Sequence, residues 1–296
     1  MKYQTHDDAA HSIEENLRLE AEAHDEDYEG RKPFGLDSLT FSIDEVWKIH
    51  DRAYKRGTYR RGWRKHRLFE LMNLPTLEGK RILEVGCGQG HNSVFFALYG
   101  AEVHGFDLSS AGISMAREIA RANKVDDRCH FRVANVSAMP YEAESFDVVV
   151  YNAVLHHVFK YPNVKEETFR VLKPGGKLFF AEGVRDNAAH RFIRSIQRTV
   201  RPAHYHGDID LEMEDLRDLT KDYASVNIEQ FGLVEKFLQG IGKPYNNNWF
   251  IRSLLFAGHK VDDSLLAVIP GLRSQCLEVV GVAVKGERHE VAPRPH

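Results

Sequence analysis

The chain has 296 residues, about two units at roughly 150 residues per domain, though α/β folds run to roughly 250 as one. Hydrophobic residues make up 43% and charged residues 28%, an ordinary globular balance that excludes collagen-like, disordered and toxin-like classes. Forty Lys and Arg against forty-three Asp and Glu leave a formal charge of -3, so no global field draws in nucleic acid or acidic membrane, and an anionic partner must meet a local patch.

The first residues, MKYQTHDDAAHSIEEN, are polar and acidic where a signal peptide needs an apolar stretch, and no window approaches about 20 apolar residues, so no transmembrane segment is expected. Residues 1–35 carry many Glu, Asp and His with little apolar periodicity. They are expected as a mobile arm, or as a helix that needs a partner surface, outside the core. Residues 36–75 are expected as an N-terminal helical lid and 76–285 as the main domain. The polar tail 286–296, GERHEVAPRPH with its prolines, is expected to fray. Cys87, Cys129 and Cys276 are odd in number and show no CxxC spacing, which argues against a disulfide framework, a zinc site and an iron–sulfur cluster. No metal is expected, and a reducing cytoplasm is the expected compartment.

Within the main domain the pattern predicts a strand at Arg81–Val85, a helix over 91–99 closed by Gly100, a strand at Glu102–Phe106 and a helix from Ser109 or Ser110 to about Asn123. Strands at His130–Val133 and Phe146–Tyr151 follow, then a helix over 163–172 stopped by Pro174-Gly175-Gly176, and a strand at Lys177–Ala181. This alternation implies a mainly parallel sheet with helices on both faces, whose ligands bind beyond the carboxyl ends of the strands. Past Ala181 come an arginine-rich segment at 188–201, a β-like run Ala224–Phe231, an apolar stretch around 249–267 and a strong strand Cys276–Val284. The last two strands are read as an antiparallel pair at the sheet edge, and 186–222 as an insertion covering the substrate.

The strongest signal is the apolar strand that ends in Glu84-Val85-Gly86-Cys87-Gly88-Gln89-Gly90 before a helix. Glycines at alternate positions turn the chain and let a ligand approach the backbone, and the following helix N-terminus offers free N–H groups to a carboxylate or phosphate. Alone, such a loop is also an ordinary strand-to-helix turn. Asp107 closes the next strand twenty-one residues after Gly86, where a carboxylate can accept from both ribose hydroxyls; its other reading is a capping aspartate before Ser109. A nucleoside-containing cofactor follows.

Dinucleotide folds usually carry GxGxxG, and here the third glycine stands at the alternate position instead. The loop resembles the first motif of the class I S-adenosylmethionine-dependent methyltransferases of the small-molecule, methyltransferase-11-like type. Gly105-Phe106-Asp107-Leu108-Ser109 resembles their ribose-binding strand. Ala134-Asn135-Val136, Met139-Pro140-Tyr141 and Ser145-Phe146-Asp147-Val148-Val149 resemble the adenine segment and fourth strand, and Arg170-Val171-Leu172-Lys173-Pro174-Gly175-Gly176-Lys177-Leu178 the approach to the fifth. The resemblance implies a Rossmann-like, seven-stranded, mainly parallel sheet with an antiparallel edge strand. It also implies that S-adenosyl-L-methionine is held by Glu84, Gly86, Cys87, Gly88 and Gly90 at its methionine end and by Asp107 and Leu108 at the ribose. Asn135 and Val136 would hold the adenine, with Asn152 at the end of the fourth strand. Asn135 stands where the family often has an acidic residue, although an amide oxygen still accepts from an amine; otherwise it is a turn residue.

Methyl transfer from a sulfonium is displacement on an activated donor, so the enzyme supplies position, water exclusion and sometimes a base. His157, then His156, in Leu155-His156-His157-Val158 are the candidate bases beyond the fourth strand; both also read as structural. The segment lacks the Asn/Asp-Pro-Pro-Tyr pattern of enzymes that methylate nucleobase amines or glutamine amides. Tyr54 and Tyr59, in a run that interleaves cations with aromatics, and His206 are candidate substrate contacts. Arg191, Arg194, Arg198 and Arg201 form one helical stripe, either a solvated face or a peripheral contact with anionic lipid.

The expectation is a cytoplasmic methyltransferase acting on oxygen or nitrogen of a small-molecule metabolite, with no stable nucleic-acid partner and an oligomeric state that the sequence leaves open. The rivals are an RNA or lipid head-group methyltransferase, a dinucleotide-dependent oxidoreductase and a non-catalytic binding module.

Overall fold

The computed structural model describes residues 12–28, 38–56, 62–185, 209–234 and 249–287. The expected arginine stripe over 191–201, Tyr59, His206, most of the 186–222 insertion and the end of the C-terminal tail lie outside the described residues.

Three helices come first: α1 (Ile13–Tyr28), α2 (Ile43–Arg56) and α3 (Gly62–Met72). The alternating part follows as β1 (Arg81–Val85), α4 (His91–Leu98), β2 (Glu102–Asp107), α5 (Ser110–Ala122), β3 (Cys129–Val133), β4 (Phe146–Asn152), α6 (Leu155–Val158), α7 (Val164–Val171) and β5 (Leu172–Gly183). Then come α8 (Met213–Thr220), β6 (Ser225–Phe231), α9 (Trp249–Val268) and β7 (Glu278–Val284). The apolar stretch around 249–267 is thus helix. No helix among the described residues is long and apolar enough to cross a membrane.

The seven strands lie in the order β3-β2-β1-β4-β5-β7-β6. β1 to β5 run parallel, and β7 enters antiparallel between β5 and β6, with Phe180 opposite Gly281 and Ile228 opposite the same residue on the other side. The expected antiparallel pair is therefore present. The β5 strand begins at Leu172, through Pro174-Gly175-Gly176, because a register shift at Phe146/Val148 lets it pair with β4 on either side of the turn residues.

Alternation along the strands sorts side chains into two layers. Ile82, Val148, Val150, Phe179 and Ala181 face a core shared with α2, α3, α4 and α5. Leu83, Val85, Val149, Tyr151, Leu178 and Phe180 face a second core with α6, α7 and α8. Order reverses between β1 and β4, and the crevice of such a sheet opens at that switch point, beyond the carboxyl ends of β1 and β4.

The cations of α3 have structural partners. Arg64 donates to Glu278 of β7 at 2.7 Å, with both side chains buried. Arg67 forks onto both oxygens of Glu229 of β6 at 2.7 and 2.8 Å. These pairs tie the region read as a lid to the antiparallel edge of the sheet, and they engage two cations of the run that interleaves cations with aromatics.

Candidate active site

The glycine loop leaves β1 with its backbone in the left-handed region. Gly86 has φ 63°, and a Cβ there would lie 2.6 Å from Cγ1 of Val154, which belongs to the turn after β4. Gly90 has φ 70° and would bring a Cβ to 2.7 Å from that of Ala116, so it lets α4 and α5 close together. Both positions require glycine for conformation and for space.

Two buried carboxylates brace this loop. Glu84 accepts from Asn92 Nδ2 at 2.7 Å and from Ser93 Oγ at 2.5 Å, both in the first turn of α4. Asp107 accepts from the Gly88 N–H at 2.8 Å and from the Ser109 N–H at 3.0 Å. Burial pushes the Glu84 carboxyl up, against the pull of Ser93 and Asn92. Burial likewise raises Asp107 in spite of its Ser109 and Gly88 hydrogen bonds and the nearby His24 and His157. Burial also lifts the Cys87 thiol well above its usual range, with Asp107 and Glu84 adding to the effect, so this cysteine is a neutral lining group and not a nucleophile.

Two polar features suit a bound amine and a bound diol. Asn92 Oδ1 is buried with no hydrogen-bond partner, an acceptor of the kind an ammonium group satisfies. Asp107 keeps lone pairs beyond its two backbone bonds, and further donors would offset the cost of its burial. Leu108 lies half-buried beside it. Asn135 points its amide oxygen at the Ser137 N–H, 2.9 Å away, which caps the short 3-10 turn Val136–Ala138; this is the turn role foreseen as its alternative. Val136 is buried and Asn152 half-buried at the end of β4.

On the other side of the crevice a third buried carboxylate closes β5. Glu182 is 0% exposed, and its Oε1 accepts from the N–H groups of Val154 and Leu155, each at 2.6 Å. Its Oε2 lies 2.9 Å from His156 Nδ1. Burial by itself would raise this carboxyl. The charge and hydrogen bond of His156, the charge of Arg64 and the Leu155 N–H outweigh burial and hold it below the usual carboxylate range. An ionised carboxylate only accepts, so the His156 Nδ1 that faces it carries a hydrogen, and the neutral ring would keep its lone pair on Nε2. The His157 ring lies 4.1 Å from that of His156 and meets His24 edge-on at 5.2 Å.

α1, from the stretch expected as a mobile arm or as a helix that needs a partner surface, packs here. Along α1, Glu20 pairs with Lys160 at 2.7 Å, both nearly buried, Leu17 packs on the second core, and His24 reaches His157. Asp25 bonds the Ser109 hydroxyl and accepts from the Ala111 N–H at 3.2 Å. The Tyr28 carbonyl accepts from Gln89 Nε2 at 2.8 Å, and its hydroxyl lies 2.8 Å from where a Gly88 Cβ would be. α1 thus spans the crevice from the β4 side to the glycine loop.

Sequence reasoning brings Glu84, Gly86, Cys87, Gly88, Gly90, Asp107, Leu108, Asn152, His156 and His157 to one end of one sheet, with Asn135 and Val136 after β3. The Tyr54 side chain lies outside the described residues, as do Tyr59 and His206. Missed were Asn92, Ser93, Glu182 and the α1 residues. Glu182 could have been found from its place at the end of the fifth strand; the α1 residues carry no motif.

The fold, crevice and glycine loop define a Rossmann-like methyltransferase architecture. A sequence profile described as a methyltransferase domain matches residues 77–227, just over half of the chain. The chain is 33% identical over 106 residues to a ubiquinone biosynthesis O-methyltransferase of Coxiella burnetii, covering 36% of this chain and 44% of that one. It is 37% identical over 106 residues to the 27-O-demethylrifamycin SV methyltransferase of Amycolatopsis mediterranei, covering 36% and 39%. These matches span less than half the length of the curated relatives. Geranyl diphosphate C-methyltransferase from Streptomyces coelicolor A3(2), solved with Mg2+, geranyl diphosphate and S-adenosyl-L-homocysteine, superposes with a TM-score of 0.55 over 91% of this chain and 98% of that one. At 15% identity that likeness is one of fold. The chain belongs to the S-adenosylmethionine-dependent methyltransferases, which removes the dinucleotide oxidoreductase from consideration.

Proposed function

We propose that this protein transfers the methyl group of S-adenosylmethionine to an oxygen or nitrogen of a small molecule, with oxygen favoured. The observation that carries the reading is the convergence of the Asp107-braced glycine loop and the Glu182–His156 pair on the two sides of one crevice. When bound, S-adenosylmethionine supplies an activated methyl group on a sulfonium. Glu84, Asn92 and the loop backbone would hold its methionine end and Asp107 its ribose, with Asn135 and Val136 near the adenine. His156 Nε2 takes the proton of an acceptor hydroxyl, and Glu182 keeps the imidazole in the required tautomer. His157, placed first by the sequence reading, has its ring 4.1 Å from that of His156 and meets His24 edge-on, and the Glu182 bond to His156 is what favours His156 as the base.

A hydroxyl is favoured because it is a poor nucleophile until its proton is removed, whereas a neutral amine attacks first. Relatives named for ubiquinone biosynthesis and for a demethylrifamycin support a small acceptor. Arg64 and Arg67 are taken up by Glu278 and Glu229, so these two cations are not offered to an RNA or lipid acceptor. Incubation of the full chain with methyl-labelled S-adenosylmethionine and metabolite pools, followed by product mass spectrometry, is expected to give a labelled O-methyl product. Calorimetry showing no binding of S-adenosylmethionine would overturn the proposal.

A further inference from the structure

Away from the crevice, the first and third residues of β2 and the second of β3 form a cluster that methyl transfer does not use. Glu102 and His104 share a strand face by their two-residue spacing, and the parallel register sets His130 directly beside His104. The imidazole rings lie 4.7 Å apart, and Glu102 Oε1 is 3.0 Å from His104 Nε2. One ligand atom from each of the three residues falls within 4.8 Å of the others. His104 is 9% exposed, and its Nδ1 is buried with no hydrogen-bond partner, an unmet polar requirement on this ring.

We propose that Glu102, His104 and His130 form a binding site for a divalent transition-metal ion of the zinc, nickel or copper type. Two imidazole nitrogens and one carboxylate oxygen suit these borderline ions, whereas calcium and magnesium prefer all-oxygen sets. Two of the donors sit on hydrogen-bonded neighbouring strands, so the backbone already fixes their separation, and rotation of the side chains closes the remaining gap. Helical-spacing searches of the sequence miss such a set because the strand period and the neighbouring strand create it.

One cation already lies there. The Arg81 guanidinium places Nε 3.3 Å from Glu102 Oε1 and Nη2 3.4 Å from His104 Nε2. Its side chain is 39% exposed and also reaches the Ser145 carbonyl at 3.1 Å, so it has a place to go when a metal takes the acceptors. Arg81 and the metal compete for Glu102 Oε1, so the two substitutions have opposite expected effects.

The test uses the full chain without a histidine tag, stripped with chelator and titrated with Zn2+ by calorimetry and with Co2+ by visible absorption. The wild type is expected to show one saturable site per chain with the d–d spectrum of bound cobalt. His130→Ala, an exposed change, should weaken binding by roughly tenfold or more while circular dichroism without metal stays unchanged. Arg81→Met should tighten binding. Absence of a saturable site, or a His130→Ala chain that binds Zn2+ like the wild type, would overturn the assignment. Unchanged affinity in Arg81→Met would overturn the shared geometry.

Discussion

Asp107 shows how one side chain would serve loop and ligand together. Its two oxygens already accept from Gly88 and Ser109, so its removal both unpins the glycine loop and deletes the acceptor proposed for the ribose. Asp107→Ala is expected to weaken S-adenosylmethionine binding by about 1–3 kcal/mol, read by calorimetry, with the far-ultraviolet spectrum unchanged. The base is assigned by contacts and not by motif: His156→Ala should lower turnover by roughly 10²–10⁴-fold with cofactor affinity retained, and His157→Ala should lower it much less. The reverse order in steady-state assays would return the role to His157. Asp107 was legible in the sequence because its distance from Gly86 is set by one strand and one helix. Glu182 was not, since its meaning depends on backbone N–H groups that only the fold brings to it.

At the scale of elements, α1 is the part that sequence periodicity underdescribes. Its apolar content is small, and its attachment is polar: Glu20 to Lys160, Asp25 to Ser109, and the Tyr28 carbonyl to Gln89. A helix held this way gains little from burial and depends on a few pairs, which suits a cover that opens independently of the core. Breaking a buried ion pair by removing one partner ordinarily costs about 3–5 kcal/mol, because the other charge stays in a dry place. Here Lys160 regains water if α1 lifts away, so the cost is capped at the docking energy of the helix. Glu20→Ala should therefore speed amide exchange over residues 13–28 while β1 and β4 exchange as in the wild type. Uniform acceleration across the sheet would show instead that α1 and the core unfold as one unit.

For the whole molecule, the strands and helices between Arg81 and Ala181 were legible because binary pattern and turn residues agree at every step, as with Gly100 after α4 and Ser109, whose side chain accepts from the Gly112 N–H at the start of α5. The layer above the first core was not, because α2 and α3 bury groups that read as surface: His50, Arg64 and His66 are all under 9% exposed. His50 stacks against His66 at 6.2 Å and lies 5.3 Å from Phe69. Burial first, then the charges of Lys65 and His66, pull its pKa down to about 3. The folded chain therefore keeps His50 neutral where the unfolded chain protonates it, below about 6.5. Its contribution is fully present above pH 6.5 and is lost as pH falls toward about 3, by up to about 1.4 kcal/mol per pH unit. His50→Phe removes that titration while keeping a ring in place. Urea unfolding between pH 6.5 and 5, above the ordinary carboxylate range, should show a shallower loss of stability with acid in the variant than in the wild type. Parallel slopes would mean that His50 takes up its proton in the folded state, and that the packing of α2 on α3 admits a charge there.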